Sequence, residues 1–195
     1  KLVEAGATVF KTDQVQSKEL WFIIKQIVHR TRNLRILQPL TDLPGNPAIV
    51  AELHNLIDAN EPFEVCYVDI NDFKSYNDRY GFYAGDQVIK RLAGILMEVA
   101  TKLSPNNAFV GHIGGDDFVV ITKPGQAEIA AQEIISRFDA TVPEFYTDED
   151  RRRHYIITSN RSGQKQRYPL IGITIAILND RQGTVRHPAQ VSEIA

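Results

Sequence analysis

Two acidic side chains stand next to each other in the segment Phe109–Ile121, which has the sequence Phe-Val-Gly-His-Ile-Gly-Gly-Asp-Asp-Phe-Val-Val-Ile. The Val, Ile and Phe residues on both sides predict two strands. Gly114 and Gly115 allow the positive φ angles of a tight hairpin between them. Asp116 and Asp117 would repel each other at the tip, and a divalent cation or a metal-bound phosphate would relieve that repulsion. A plain polar turn is the alternative for this segment alone.

A third carboxylate ends the apolar run Phe63–Ile70, which predicts a central strand. Asp69 should therefore lie at the rim of a sheet. If its strand lies beside the hairpin, Asp69 and Asp116 meet at one edge. Two carboxylates and a backbone carbonyl are hard oxygen ligands that suit Mg²⁺. The alternative is that Asp69 only caps a helix.

Three polar residues follow this strand and have the chemistry of nucleotide ligands. Lys74 could neutralise phosphate oxygens. Asn77 and Asp86 could hydrogen-bond one edge of a base, and a carboxylate that accepts from two N–H groups selects guanine over adenine, because only guanine presents adjacent ring and exocyclic donors. Alternatively, Asn77 forms a turn and Asp86 caps a helix.

Composition excludes several classes of function. A net charge of −2 over 195 residues gives no electrostatic case for binding duplex nucleic acid. The single cysteine, Cys66, cannot form an intrachain disulfide. The sequence contains neither an apolar run of membrane-spanning length nor a signal peptide, so we expect a cytoplasmic protein. Because the first residue is Lys1 rather than Met, we expect the chain to be a piece of a longer protein.

The pattern of apolar residues predicts the elements that position these side chains. Helices are expected over about 47–58, over a segment that carries Tyr76 and Asn77 and reaches Tyr80, from Gly85 onward and over 126–138. Strands are expected over 155–158 and 170–178, paired through a basic turn at 160–167. The charged segments 148–154 and 160–167 are expected to be solvated faces, and the alternative is that the basic turn contacts phosphate. These elements predict an α+β fold with an antiparallel sheet and helices packed against it.

The first 39 residues are expected to lie outside this domain. An apolar stripe predicts a helix from Ser17 to about Leu37. This helix either packs on its own domain or forms a signalling stalk that pairs with a second copy. The turn-rich segment Leu40–Asn46 then marks the domain boundary.

The order of these motifs resembles the GGDEF family of diguanylate cyclases. The resemblance lies in Asp-Ile-Asn-Asp-Phe-Lys at 69–74, Tyr-Asn-Asp-Arg-Tyr-Gly at 76–81, Gly-Asp at 85–86 and Ile-Gly-Gly-Asp-Asp-Phe at 113–118. Leu40–Asn46 resembles the family's entry motif and Ile171–Ala176 its late strand. The resemblance implies a palm-like fold with an antiparallel central sheet. It also implies condensation of two GTP molecules into cyclic di-GMP by a homodimer.

The same resemblance implies roles for individual residues. The ligands of Mg²⁺ or Mn²⁺ would be Asp69, the carbonyl of Ile70 and Asp116. The GTP-binding residues would be Lys74, Asn77, Asp86, Gly114 and Gly115. The catalytic residues would be Lys74, Asp116 and Asp117.

Several departures from the family pattern favour a second hypothesis. Asp117 replaces the usual Glu, and a loss of about 1 Å in reach can cost roughly a hundredfold in rate. Asn71 replaces a common second Asp, and Phe82 replaces the usual His. Pro105–Ala108 replaces the product-inhibition motif, so feedback inhibition is not expected, and the family's last helix is not in this chain. The alternative is a degenerate GGDEF module that binds GTP or regulates a partner domain.

A fainter resemblance concerns the N-terminus. Ala5-Gly-Ala, Phe10-Lys11 and Glu19-Leu20 are similar to the end of a receiver domain, with Lys11 at its signalling lysine. We therefore expect residues 1–39 to be a receiver-like tail and connecting helix, and residues 40–195 to be a C-terminally truncated GGDEF domain. The expected partners are GTP, a second copy and an upstream sensory or receiver domain, with no nucleic acid and no membrane.

Overall fold

The computed structural model describes residues 37–105, 108–159 and 163–180, together with Val185 and His187. The predicted N-terminal helix and the receiver-like tail lie outside the described residues. The predicted domain boundary stays a prediction.

The described residues form five α-helices and six strands. The α-helices are α1 (Asn46–Asp58), α2 (Phe73–Tyr80), α3 (Phe82–Leu103), α4 (Ala127–Thr141) and α5 (Asp148–Arg153). The strands are β1 (Phe63–Asn71), β2 (Phe109–Gly114), β3 (Asp117–Thr122), β4 (Tyr155–Ser159), β5 (Lys165–Pro169) and β6 (Gly172–Asp180). A short 3₁₀ helix, Val142–Phe145, follows α4. The predicted α+β class is confirmed.

The central sheet has the strand order β2-β3-β1-β6, and every pairing is antiparallel. Strand β1 lies between β3 and β6, so its side chains are buried on both faces, as its mostly apolar run predicts. One face packs against α2, α3 and α4 and forms the larger core, and the other face packs against α1. The predicted central strand beside the hairpin is confirmed.

Two long-range contacts fix helices on this sheet. The buried Glu64 of β1 accepts a hydrogen bond at 3.0 Å from the Ala127 N–H, so a strand carboxylate caps the first turn of α4. On the other face, Ile49 of α1 packs directly over Gly111, where an added Cβ would lie 2.4 Å from the Ile49 side chain. A larger residue at 111 would push α1 away from the sheet.

Two of the predicted elements are wrong in detail. Strand β4 was expected to pair with 170–178, but it pairs with β5 in a separate two-stranded sheet, whereas β6 pairs with β1. The basic segment Lys165–Pro169, part of which was expected to be a turn, is thus itself a strand. Helix α3 begins at Phe82 rather than Gly85, because Gly81, at φ +86°, ends α2 and the next helix starts at once.

The charged run 148–154 was expected to be exposed to solvent, and the structure differs from this prediction at Asp150. It forms α5, and Asp150 within it is fully buried. The Asp150 carboxylate accepts hydrogen bonds from Arg79 and Tyr80 of α2 and from Arg153 of α5. The expectation of a solvated face is therefore wrong for Asp150, which ties α5 to the helix that carries Lys74 and Asn77.

Among the described residues, no helix has both the length and the apolar character needed to cross a membrane.

Candidate functional site

Three carboxylates meet at one edge of the central sheet. The β1–β3 register ends with Val68 opposite Phe118, so the next residues, Asp69 and Asp117, face each other across the two strands. Asp116 lies beside them in the hairpin turn, where Gly115 adopts a φ of +60°. One oxygen from each carboxylate lies within 4.8 Å of the others. The predicted convergence of Asp69 and Asp116 is confirmed.

This cluster carries unfavourable electrostatic energy. Burial raises the pKa of Asp69, and the charges of Asp116 and Asp117 raise it further. Burial also raises the pKa of Asp116, with a contribution from Asp117. Burial, the hydrogen bond to Asp117 and the surrounding negative charges raise the pKa of Tyr67, two residues before Asp69, to about 12. These shifts have the sign expected where a cation would stabilise the cluster.

The donor set fits a hard divalent cation. All three groups offer carboxylate oxygens, which are the ligands that Mg²⁺ prefers. Two oxygens on one Mg²⁺ lie up to about 4.2 Å apart, twice the metal–oxygen distance of about 2.1 Å. A small side-chain adjustment would therefore bring all three carboxylates onto one ion.

Hydrogen bonds from Gln38 and Thr41, in the segment before α1, hold the hairpin that carries Asp116. The buried His112 stacks on Phe118, and its two ring nitrogens contact the Thr41 hydroxyl at 3.0 Å and the Gly115 carbonyl at 3.2 Å. The Gln38 amide donates to the Ile113 carbonyl at 2.9 Å. Burial lowers the pKa of His112. A neutral ring that donates to Gly115 and accepts from Thr41 satisfies both contacts.

A cleft of about 550 Å³ opens beside the acidic cluster. Its walls come from the junction before α1, from α2, from the start of α3 and from the hairpin. The lining residues that the sequence singled out are Lys74, Asn77, Phe82, Asp86, Gly115 and Asp116. The cleft therefore joins the predicted base-binding residues to one of the predicted metal ligands.

Asn77 has an unusual environment in this cleft. Its Oδ1 atom is buried and has no hydrogen-bond partner among the described groups. An added Cβ at Gly85 would lie 1.9 Å from this atom and 3.0 Å from the Phe73 ring. Glycine at 85 therefore makes the space in which the Asn77 side chain sits. A buried polar atom without a partner costs stability.

The remaining predicted residues lie nearby, with different partners. Lys74 is exposed and forms an ion pair with Asp78 at 3.0 Å. Asp86 is half-buried in the cleft wall. Ile70 has a buried side chain, and its backbone is in register with Ile173 of β6. Gly114 is the last residue of β2, at the start of the hairpin turn. The roles assigned to these residues stay predictions.

The sequence did not identify several residues that shape the site. Gln38 and His112 act by contacts across the fold and leave no local motif, and Gly85 was part of the Gly-Asp motif without a role of its own. Alternation along the β2 strand was the one available signal for His112, since it places this residue on the same face as the buried Val110.

An antiparallel sheet with three carboxylates at one edge, flanked by helices, defines a palm-like α+β domain. The chain belongs to the GGDEF family, because the family model "Diguanylate cyclase, GGDEF domain" matches residues 36–163. The motif-based assignment is thereby confirmed.

Curated relatives are similar over part of their length. The "Signaling protein YkoW" of Bacillus subtilis is 32% identical over 108 residues, which are 51% of this chain and 13% of that protein. The "Diguanylate cyclase DgcP" of Escherichia coli is 31% identical over 87 residues, which are 43% of this chain and 24% of that protein. The chain thus spans less than a quarter of the length of each.

Solved structures show the same fold. The coiled coil and GGDEF domain of DgcB from Caulobacter crescentus, in complex with c-di-GMP, superposes with a TM-score of 0.60 at 19% identity. This match covers 99% of the present chain and 90% of that one. The predicted palm-like architecture is confirmed.

Proposed function

We propose that this protein is a diguanylate cyclase, which condenses two GTP molecules into cyclic di-GMP with Mg²⁺ or Mn²⁺. The observation that supports this most strongly is the convergence of Asp69, Asp116 and Asp117 beside a cleft that also contains Asn77 and Asp86. This arrangement puts an acidic, cation-attracting edge and a base-binding edge in one cavity. The E. coli relative that bears the name diguanylate cyclase supports the same assignment.

At the base end, two side chains bind the guanine edge. The Asp86 carboxylate accepts from the ring N–H and the exocyclic amine, which adenine does not present together. Asn77 lines the same cleft and contacts the base edge with its side-chain amide.

At the phosphate end, the chain supplies carboxylates and one lysine. Asp69, the Ile70 carbonyl and Asp116 hold the cation, and Asp117 lies against the same cluster. Lys74 leaves its exposed ion pair with Asp78, an interaction that contributes little, and binds phosphate oxygens. When bound, Mg²⁺ would neutralise phosphate charge and favour in-line attack by the ribose 3′-hydroxyl of the other GTP.

Catalysis in this proposal requires two copies of the chain. One cleft presents one set of base-binding residues, so a second protomer brings the second GTP. Homodimer formation is thus part of the proposal. The cytoplasmic location predicted from the sequence also stays a prediction.

A degenerate GGDEF module is the second candidate. Asp117 is one methylene shorter than the usual Glu. Asn71 stands at the position of a common second carboxylate. It accepts a hydrogen bond from the Thr174 hydroxyl at 2.8 Å and so links β1 to β6. These two positions favour a domain that binds GTP without turnover and regulates a partner.

Incubation of the protein with GTP and Mg²⁺, followed by mass spectrometry for cyclic di-GMP, tests the proposal. The Asp116→Asn variant is the matched control, because it keeps the shape of the side chain and removes its charge. Product from the native chain and none from the variant supports the cyclase. Binding of GTP without product supports the regulatory module, and the absence of both refutes a nucleotide function.

A further inference from the structure

The cleft has an aromatic side chain on its rim that the proposed chemistry does not use. Phe82 begins α3, lines the cleft and is 79% exposed. A phenylalanine exposed to this degree gains free energy when a ligand covers it. The ring is also a flat apolar surface at the mouth of a cavity whose other walls carry hydrogen-bonding groups.

The position of Phe82 relative to the base-binding residues is informative. Phe82 and Asp86 are four residues apart in one helix, so they lie on the same helix face one turn apart. Both line the same cleft, together with Asn77 from α2. A planar base held at its edge by Asn77 and Asp86 presents its face to the rest of the cleft wall.

We propose that Phe82 stacks on the face of the purine bound by Asn77 and Asp86, which rests on the proposed binding of GTP. Edge contacts and a stacking contact then act together: the polar groups select guanine, and the ring adds affinity that does not depend on which base is bound. Stacking of a base on an aromatic side chain is worth about a 5- to 100-fold change in Kd.

The chain supplies a matched control at the next position. Tyr83 is 80% exposed, as exposed as its neighbour, but it does not line the cleft. Loss of a general apolar surface would affect binding equally in the Phe82→Ala and Tyr83→Ala variants. A stacking contact would affect only the first. Because both side chains are exposed, neither substitution should prevent folding, which thermal melts would verify.

The test measures Kd for 3′-deoxy-GTP by calorimetry in Mg²⁺, since a nucleotide without the 3′-hydroxyl cannot be turned over. We expect Phe82→Ala to raise Kd about 5- to 100-fold and Tyr83→Ala to leave it within twofold. Phe82→Trp should bind at least as tightly as the native protein. Its added indole should also be quenched by the nucleotide, measured as the difference from the native chain, whose single tryptophan is Trp21.

The outcomes separate this inference from the proposed function. If the native protein binds 3′-deoxy-GTP and Phe82→Ala binds equally well, stacking is refuted and the proposed function is untouched. Equal losses in Phe82→Ala and Tyr83→Ala also refute it. If the native protein binds no nucleotide, both proposals fail. If binding depends on Phe82 but GTP yields no cyclic di-GMP, stacking stands and only catalysis is refuted.

Discussion

Replacing Gly85 with alanine should weaken GTP binding without weakening the fold. The new Cβ would lie 1.9 Å from Asn77 Oδ1, whereas such contacts essentially never fall below 3.0 Å, so the amide must move by about 1 Å. The atoms that the Cβ would meet belong to the Asn77 amide and, at 3.0 Å, to the Phe73 ring, and because all of them are side-chain atoms the backbone can stay in place. Alanine also has the higher helix propensity, by about 1 kcal/mol in a helix interior.

The displaced amide should lose its hydrogen bond to the base, which corresponds to about a 10- to 100-fold increase in Kd for GTP. Calorimetric titration measures this change, and urea denaturation checks that stability is kept or raised. Gly94→Ala is the matched control, because it lies in the same helix and its Cβ would meet no atom within 4 Å. Native affinity in Gly85→Ala would refute the assignment of Asn77 as a base contact.

Three further predictions concern the acidic groups. Asp69→Asn should raise the melting temperature of the metal-free protein by about 2–4 °C, because it removes the buried charge and the repulsion from Asp116 and Asp117 that together raise the Asp69 pKa. The same variant should be stabilised less by Mn²⁺. Calorimetric melts with and without Mn²⁺ measure both effects, and an unchanged Mn²⁺ effect would argue against Asp69 as a ligand. Asp117→Glu should increase cyclic di-GMP production by up to about a hundredfold if the shorter carboxylate limits turnover, and an initial rate at or below the native value would contradict this reasoning. Burial opposes ionisation of Asp150, but Arg153, Tyr80 and Arg79 lower its pKa to about 2. The ionised Asp150 should therefore stabilise the fold fully above about pH 4 and lose this effect as pH falls towards 2. Urea denaturation across this range should show a flatter pH dependence of the unfolding free energy for Asp150→Asn, and parallel curves for the native protein and the variant would exclude the linkage.

Much of the site could be predicted because its signals are local. Asp69 lies near the end of a strand whose burial follows from a mostly apolar run, and the Gly114-Gly115 pair marks a hairpin directly before two acidic residues. A carboxylate near the end of a buried run is expected at the rim of the sheet, because an unpaired charge inside the core would be costly. These patterns depend only on neighbours along the chain.

Other features could not be predicted, since their partners are far apart in the sequence. The Asp148–Arg153 segment has the composition of a solvated helix, yet Asp150 is buried against residues about 70 positions earlier. The basic strand β5 contains no apolar alternation that distinguishes it from a turn, and only its pairing with β4 makes it a strand. In both cases tertiary contacts override the local composition.

The sequence by itself determined the order of the elements from α1 to α4 and the central position of β1, because apolar periodicity and turn residues act between near neighbours. It also predicted that Asp69 and Asp116 meet at one edge of the sheet if β1 lies beside the hairpin. Only the tertiary structure decided that Gly85 makes room for Asn77, that His112 holds the hairpin and that Phe82 lines the cleft with Asp86. Those contacts depend on the packing of α2, α3 and the hairpin against one another, and side-chain packing between distant segments leaves no periodic trace in the chain.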